Sequence, residues 1–174
     1  MPKVIENVQQ RAIAQARELL IREGYTAMTV RRVAAALEIA PATLYNYFPS
    51  KESLAASVML EDWQRQIETF VSKQGGRSVD ETVECLFALV RAFSERYAKS
   101  WTQYPADDAL PIRRRYHGVL VEELAGMIRR SMTSEQDQAE PWLAPFLAEL
   151  VLRMGSDGGC AWQQLAPAVH KLLG

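Results

Sequence analysis

The stretch Thr29-Val30-Arg31-Arg32-Val33-Ala34-Ala35-Ala36-Leu37-Glu38-Ile39-Ala40-Pro41-Ala42-Thr43-Leu44-Tyr45-Asn46-Tyr47-Phe48-Pro49-Ser50-Lys51-Glu52 decides the fold. Thr29 is a good N-cap, because its hydroxyl can accept a hydrogen bond from an amide of the first helical turn. Val30, Val33, Ala34 and Leu37 then recur at i, i+3, i+4 and i+7, which predicts a short helix. After the tight connection Glu38-Ile39-Ala40, Pro41 suits a first helical turn with its fixed φ and missing amide. Pro49 closes the segment from the other side, leaving a helix of about two turns.

Projecting residues 41–48 at about 100° per residue puts Leu44 and Phe48 together on the inward side. Ala42, Thr43 and Asn46 point outward, with Tyr45 and Tyr47 on the flanks. An outward face of small and hydrogen-bonding side chains suits insertion into a major groove, and the phenols can reach phosphates or base edges. The helix ends near Thr29, Pro41 and Ser50 carry free amides, and Arg31 and Lys51 add full charges beside two of them, an arrangement that can clamp phosphates. Three short helices could also pack merely as an interaction module; the exposed Thr43-Leu44-Tyr45-Asn46-Tyr47 string favours DNA.

Upstream, Ile5, Val8, Ala12, Ala16, Leu19 and Leu20 form one stripe of an amphipathic first helix that Gly24 stops. Downstream, Ser50 can cap a fourth helix whose stripe runs through Leu54, Val58 or Met59, Trp63, Ile67 and Phe70 until Gly75-Gly76. The rhythm of Val79, Val83, Leu86, Val90, Phe93, Tyr97, Trp101 and Tyr104 predicts one long fifth helix, with Pro105 and Pro111 bracketing the break after it. Ile112, Tyr116, Leu120, Leu124 and Ile128 mark another helix, and the polar run Thr133 to Glu140 reads as a loop. Residues 142–154 and 161–173 are the last two helices. Without strand alternation or an internal repeat, the chain reads as all-α. Residues 1–50 form a three-helix helix-turn-helix domain, the helix at about 50–72 connects, and 51–174 form a helical body.

Over 174 residues the composition is 48% apolar and 24% charged, enough to pack a core and far from the bias of disorder. Residues 1–60 carry seven basic side chains against five Glu, +2 within a total of -1. Bulk charge thus only leans toward nucleic acid, and local arrangement carries the reading. No apolar stretch suffices for a membrane span and no signal-type block follows Met1, so the expected location is cytoplasmic. Cys85 and Cys160 lack CxxC spacing and read as core or interface thiols.

Residues 29–34 and 39–52 resemble the TetR family of bacterial transcriptional regulators, with a match over about residues 8 to 60. The resemblance implies that Thr29 and Tyr47 touch phosphates and that Arg31 reaches a base edge or phosphate. It also implies that Thr43, Tyr45 and Asn46 face the groove and that Lys51 holds a phosphate. Three positions depart from the family pattern: Glu38 replaces the usual turn glycine, Ala40 the usual capping serine, and Tyr47 a frequent histidine. Residues 61–174 resemble the family only in length and helical layout.

Members of that family are homodimers on pseudo-palindromic operators, and their helical bodies bind a small ligand. The expected function is therefore repression relieved by an effector; activation, or regulation without an effector, is the alternative. For the dimer surface the apolar excess on the last two helices singles out Trp142, Phe146 and Leu150 with Trp162, Leu165 and Val169. Gly155-Ser156-Asp157-Gly158-Gly159 reads as a loop, although Gly155 and Gly159 could permit close helix approach. A ligand pocket is expected where Trp63, Phe93, Tyr97, Trp101, Tyr104, Tyr116 and His117 supply aromatic walls and polar handles. His117 beside Arg113, Arg114 and Arg115 can be read as meeting an anion or as a solvated face. No nucleotide, metal or hydrolase motif appears, so no catalytic residue, metal site or cofactor is expected. A third reading, DNA compaction without specificity, predicts weak sequence preference and a steep salt slope.

Overall fold

Six residues at three and four spacing seal the first helix, α1 (Val8–Arg22), onto its neighbours: Val8, Ala12, Ile13, Ala16, Leu19 and Leu20 are buried. The computed structural model describes residues 7–73, 75–103 and 106–174, with side chains for all of these except 101 and 106–115, so Ile5 and Tyr104 lie outside it. The helices that follow are α2 (Val30–Ala36), α3 (Pro41–Tyr45), α4 (Lys51–Ser72), α5 (Val79–Arg96), α6 (Ala98–Gln103), α7 (Ala106–Arg129), α8 (Ser134–Ala139), α9 (Leu143–Ser156) and α10 (Trp162–Leu173). Among the described residues there is no strand.

The chain divides into two compact units, Met1–Arg65 with Arg96–Asp108, and Gln66–Glu95 with Ala109–Gly174. In the first, Met28, Val33, Ala34, Leu44, Phe48, Leu54 and Val58 join the α1 stripe in one core. Deleting any of the larger of these side chains would cost about 2–5 kcal/mol, because the close-packed surroundings relax only partly. The second unit buries Val83, Leu86, Phe87 and Val90 of α5 and Leu124, Met127 and Ile128 of α7. Leu143, Leu147 and Val151 of α9 and Val169 of α10 join the same core.

The single long helix expected over residues 79–104 is broken at Tyr97, where the Ser100 amide turns back onto the Tyr97 carbonyl at 2.9 Å. The cause is tertiary. Tyr97 donates its hydroxyl to Asp62 at 2.6 Å, and α6 is drawn onto the end of α1. Pro111 lies inside α7 and marks no break, since only one amide bond is forfeited and barely more than a turn of helix precedes it. The run read as a loop contains α8, because the Thr133 hydroxyl accepts from the Gln136 amide at 3.1 Å and Glu135 and Asp137 favour the amino end.

Gly155 and Ser156 belong to α9, so only Gly158-Gly159 form the turn. Gly155 is buried, and a Cβ there would sit 2.9 Å from Val90 Cγ1 and 3.4 Å from the Phe87 carbonyl oxygen. The glycine therefore lets α9 approach α5 closely. Arg91 fixes the same junction: its guanidinium lies over the Phe87 ring, 5.3 Å from the centroid, and donates to the carbonyls of Gly155 at 3.2 Å, Asp157 at 2.9 Å and Cys160. Those donations satisfy carbonyls that the end of α9 leaves unpaired. Gly155→Ala should therefore cost about 1–3 kcal/mol in urea denaturation through overpacking. An unchanged midpoint would show that the junction is loose.

Candidate nucleic-acid interface

The headpiece is set by its two turns. Gly24, at φ 91°, ends α1 by donating its amide to the Leu20 carbonyl at 3.1 Å. The α2–α3 turn is a Schellman arrangement: the Ile39 amide donates to Ala34 O at 3.0 Å and the Glu38 amide to Ala35 O at 3.1 Å. Glu38 holds the left-handed position at φ 57°, where glycine would be unstrained. This resolves how the turn forms without the usual glycine: both capping bonds are made, and the strain is tolerated by an exposed side chain.

α2 begins as its sequence dictates, with the Thr29 hydroxyl accepting from the Arg32 amide at 3.1 Å. Arg31 and Arg32 then diverge. Arg32 grips Glu23 through two 2.7 Å bonds and donates to Ala27 O at 3.3 Å, tying the start of α2 to the end of α1. That pairing holds the Glu23 carboxyl below the usual range. Arg31 is exposed and, among the described residues, has no ion pair.

Ala40 gives α3 no side-chain cap, and Pro41 stands at its first position. The helix proper is Pro41–Tyr45, shorter than two turns, but the Tyr47 and Phe48 amides still bond to Leu44 O at 3.1 and 2.9 Å. Leu44 and Phe48 are buried, whereas Pro41, Ala42, Thr43 and Asn46 are exposed and Tyr45 and Tyr47 are 43% and 49% exposed. The expected inward and outward division is thus present residue by residue. α4 starts with a reciprocal serine cap: Ser50 Oγ accepts from the Ser53 amide and Ser53 Oγ from the Ser50 amide, both at 3.1 Å. Lys51 opens the helix beside these amides.

Beneath the headpiece lies a buried carboxylate that sequence inspection missed. Asp62 accepts from Arg17 Nε and from the Tyr97 hydroxyl, each at 2.6 Å, with Arg65 at 3.7 Å and Arg96 at 3.6 Å. Burial, then the Asp62 hydrogen bond, pushes the Tyr97 phenol well up, so it stays a protonated donor. The spacing did hold a signal, because Asp62 stands four residues after inward-facing Val58 on α4. Further polar bonds seat α6 on the end of α1: Ser100 Oγ donates to Leu20 O at 3.1 Å, Lys99 Nζ to Arg22 O at 3.2 Å, and the Thr26 amide to Gln103 Oε1 at 2.9 Å.

The residues expected to line a ligand pocket do not assemble within one unit. Trp63 and Tyr97 are buried in the first; Phe93 and Tyr116 are half-buried in the second, where His117 Nε2 lies 2.9 Å from Glu149 Oε2. Tyr104 and the side chains of Trp101, Arg113, Arg114 and Arg115 lie outside the described residues. Of the residues expected at a dimer surface, Trp142 and Phe146 are 50% and 47% exposed and meet edge to face at 6.0 Å. Leu150, Trp162 and Leu165 are half-buried, whereas Val169 is fully buried inside its own unit and offers no surface to a partner. The stripe spacing could not separate it, because one helix face serves both core and surface.

α2, the Glu38 turn and α3 form a helix-turn-helix within the first unit, and the second unit is helical among the described residues. The sequence model of the bacterial regulatory proteins, tetR family, matches residues 12–58. That match takes in α2, the Glu38 turn and α3, and ends within α4. It is 32% identical over 88 residues to the HTH-type transcriptional regulator UidR of Escherichia coli K12, covering 49% of this chain and 45% of that protein. It is 45% identical over 58 residues to the uncharacterized HTH-type transcriptional regulator Rv0767c of Mycobacterium tuberculosis H37Rv, covering 33% and 27%. The matched stretches thus span less than half the length of these relatives. Salmonella enterica GusR has a similar fold, with a TM-score of 0.57 at 23% identity over 98% of this chain and 96% of that one. A TetR transcriptional regulator from Legionella pneumophila gives 0.52 at 17% over 97% and 98%.

If Glu38 is strained as its backbone indicates, Glu38→Gly should raise stability by about 0.5–1 kcal/mol, the left-handed penalty less the entropy glycine adds to the unfolded chain. Thermal denaturation measures it, and a lowered midpoint would contradict the strain.

Proposed function

We propose that this chain is a sequence-specific DNA-binding transcriptional regulator, a homodimeric repressor that a small-molecule ligand releases from a pseudo-palindromic operator. The observation that carries the reading is α3. Its apolar side chains Leu44 and Phe48 are hidden, and it turns Ala42, Thr43, Tyr45, Asn46 and Tyr47 to solvent, while Arg31 on α2 is exposed and has no ion pair among the described residues. Thr29, Tyr47 and Lys51 are the phosphate contacts in this reading, and Pro41 lets α3 begin without an amide to satisfy. Arg31, Thr43, Tyr45 and Asn46 read base edges, where each good contact discriminates by about 1–3 kcal/mol.

The exposed Trp142–Phe146 pair supports pairing of α9 and α10 with a second copy, since an aromatic surface of this kind is costly to leave in water. Two headpieces would then meet successive major grooves about 34 Å apart, so a modest rotation of either ends simultaneous docking. The chain passes from α5 in the second unit directly into α6 in the first. Ser100, Lys99, Gln103 and Tyr97 bond α6 to α1 and α4, which supports α6 as the element through which a ligand in the body displaces the headpiece.

Selection from a random duplex pool should enrich a pseudo-palindrome with half-sites about one helical turn apart; a pool without consensus would overturn the reading. Against the selected site, Arg31→Ala or Tyr45→Ala should each cost about 1–3 kcal/mol while leaving helicity and dimerisation intact. Unchanged binding in both would sink the contact assignment. Removing residues 141–174 should give a monomeric or insoluble product on gel filtration, whereas a soluble dimer would place the interface elsewhere.

A further inference from the structure

Tyr25 directly follows the glycine that ends α1 and is buried, yet its side chain touches both charged residues that open α4. The Lys51 ammonium lies 4.0 Å from the centroid of the Tyr25 ring and 3.4 Å from the Thr26 carbonyl oxygen. The Tyr25 hydroxyl donates to Glu52 Oε1 at 2.7 Å. One side chain therefore holds a cation by its face and an anion by its edge, at a helix end whose free amides attract phosphate.

The two contacts have opposite meanings for a phosphate. Lys51 on its flexible stem would lose side-chain entropy on binding, and resting against the ring removes part of that loss beforehand. Glu52 would repel a phosphate at the same helix end if its carboxylate swung outward; the Tyr25 hydroxyl keeps it turned in. That hydrogen bond is the main cause that holds the Glu52 carboxyl below the usual range, while burial lowers the Lys51 ammonium from its ordinary value.

We infer that Tyr25 is a positioning residue for DNA binding, presenting the Lys51 ammonium to a backbone phosphate while withdrawing the Glu52 carboxylate. The inference rests on the DNA-binding function proposed above. Tyr25 itself touches no DNA and acts through its two neighbours, which separates it from Thr29, Arg31 and the α3 face.

The test measures affinity of the full chain for a duplex selected from a random pool, by fluorescence anisotropy over a series of KCl concentrations. Lys51→Ala should weaken binding and reduce the salt slope by about 1. Tyr25→Leu should weaken binding about two- to tenfold in the native chain and scarcely at all in a Lys51→Ala, Glu52→Gln background, because both routes of action are then gone. Tyr25→Phe, which keeps the ring, should retain the full slope and lose about two- to threefold, a loss that Glu52→Gln abolishes. An equal loss from Tyr25→Leu in both backgrounds would overturn the inference by making Tyr25 merely a fold residue. Intact binding by Lys51→Ala would also overturn it while leaving the DNA reading standing. A native chain that enriches no duplex would overturn both.

Discussion

The burial of Leu44 and Phe48 is the constraint on which the headpiece depends. A helix of five residues has too few internal hydrogen bonds to persist alone, so α3 exists only because these two buried side chains seat it against α1 and α2. Seating them fixes the rotation of the helix about its axis. Rotation in turn decides that Ala42, Thr43 and Asn46 face solvent and that Tyr45 and Tyr47 flank them. The exposed face of α3 is thus a consequence of core packing, and its chemistry is free to vary while the two anchors hold. The Schellman turn at Glu38 and the serine cap at Ser50 set where α3 enters and leaves, and both are completed by backbone amides.

A second constraint acts within the first unit and ties α1 and α4 to the α5–α6 junction. Asp62 gathers Arg17 from α1 and Tyr97 from the α5–α6 junction on one buried carboxylate, with Arg65 and Arg96 alongside. Removing one partner from such a cluster leaves uncompensated buried charge and costs about 3–5 kcal/mol, so the three elements move together or pull the cluster apart. The bonds from α6 to the carbonyls at the end of α1 reinforce the same union. Within the second unit, Arg91 and Gly155 fix α9 against α5, and Trp142 and Phe146 are exposed.

What could be read from sequence follows the range of the interactions involved. α1 to α4 were legible because caps, prolines and the three-four stripe act within a few residues, and the inward pair Leu44 and Phe48 could be projected directly. The break at Tyr97 was illegible, since its cause is a carboxylate 35 residues away that local periodicity does not register. Gly155 looked like loop punctuation because close helix approach depends on Val90, which only the tertiary fold brings near. Thr133 was a readable cap overlooked in a polar run. At the candidate site, Thr29, Arg31, Asn46 and Lys51 were named from helix ends and faces. Tyr25, Arg17 and Asp62 were missed because each acts through a partner at long separation. Val169 was mistaken for surface because a stripe does not say which of its residues meet the core.

Sequence-specific recognition by the exposed face of α3 is the central claim. Its most direct measurement is the ratio of affinities for a selected duplex and for the same duplex with its half-sites scrambled, at one fixed salt concentration. A preference of at least about a thousandfold is expected of a specific regulator. A ratio near one, with the steep salt dependence of pure phosphate binding, would contradict it.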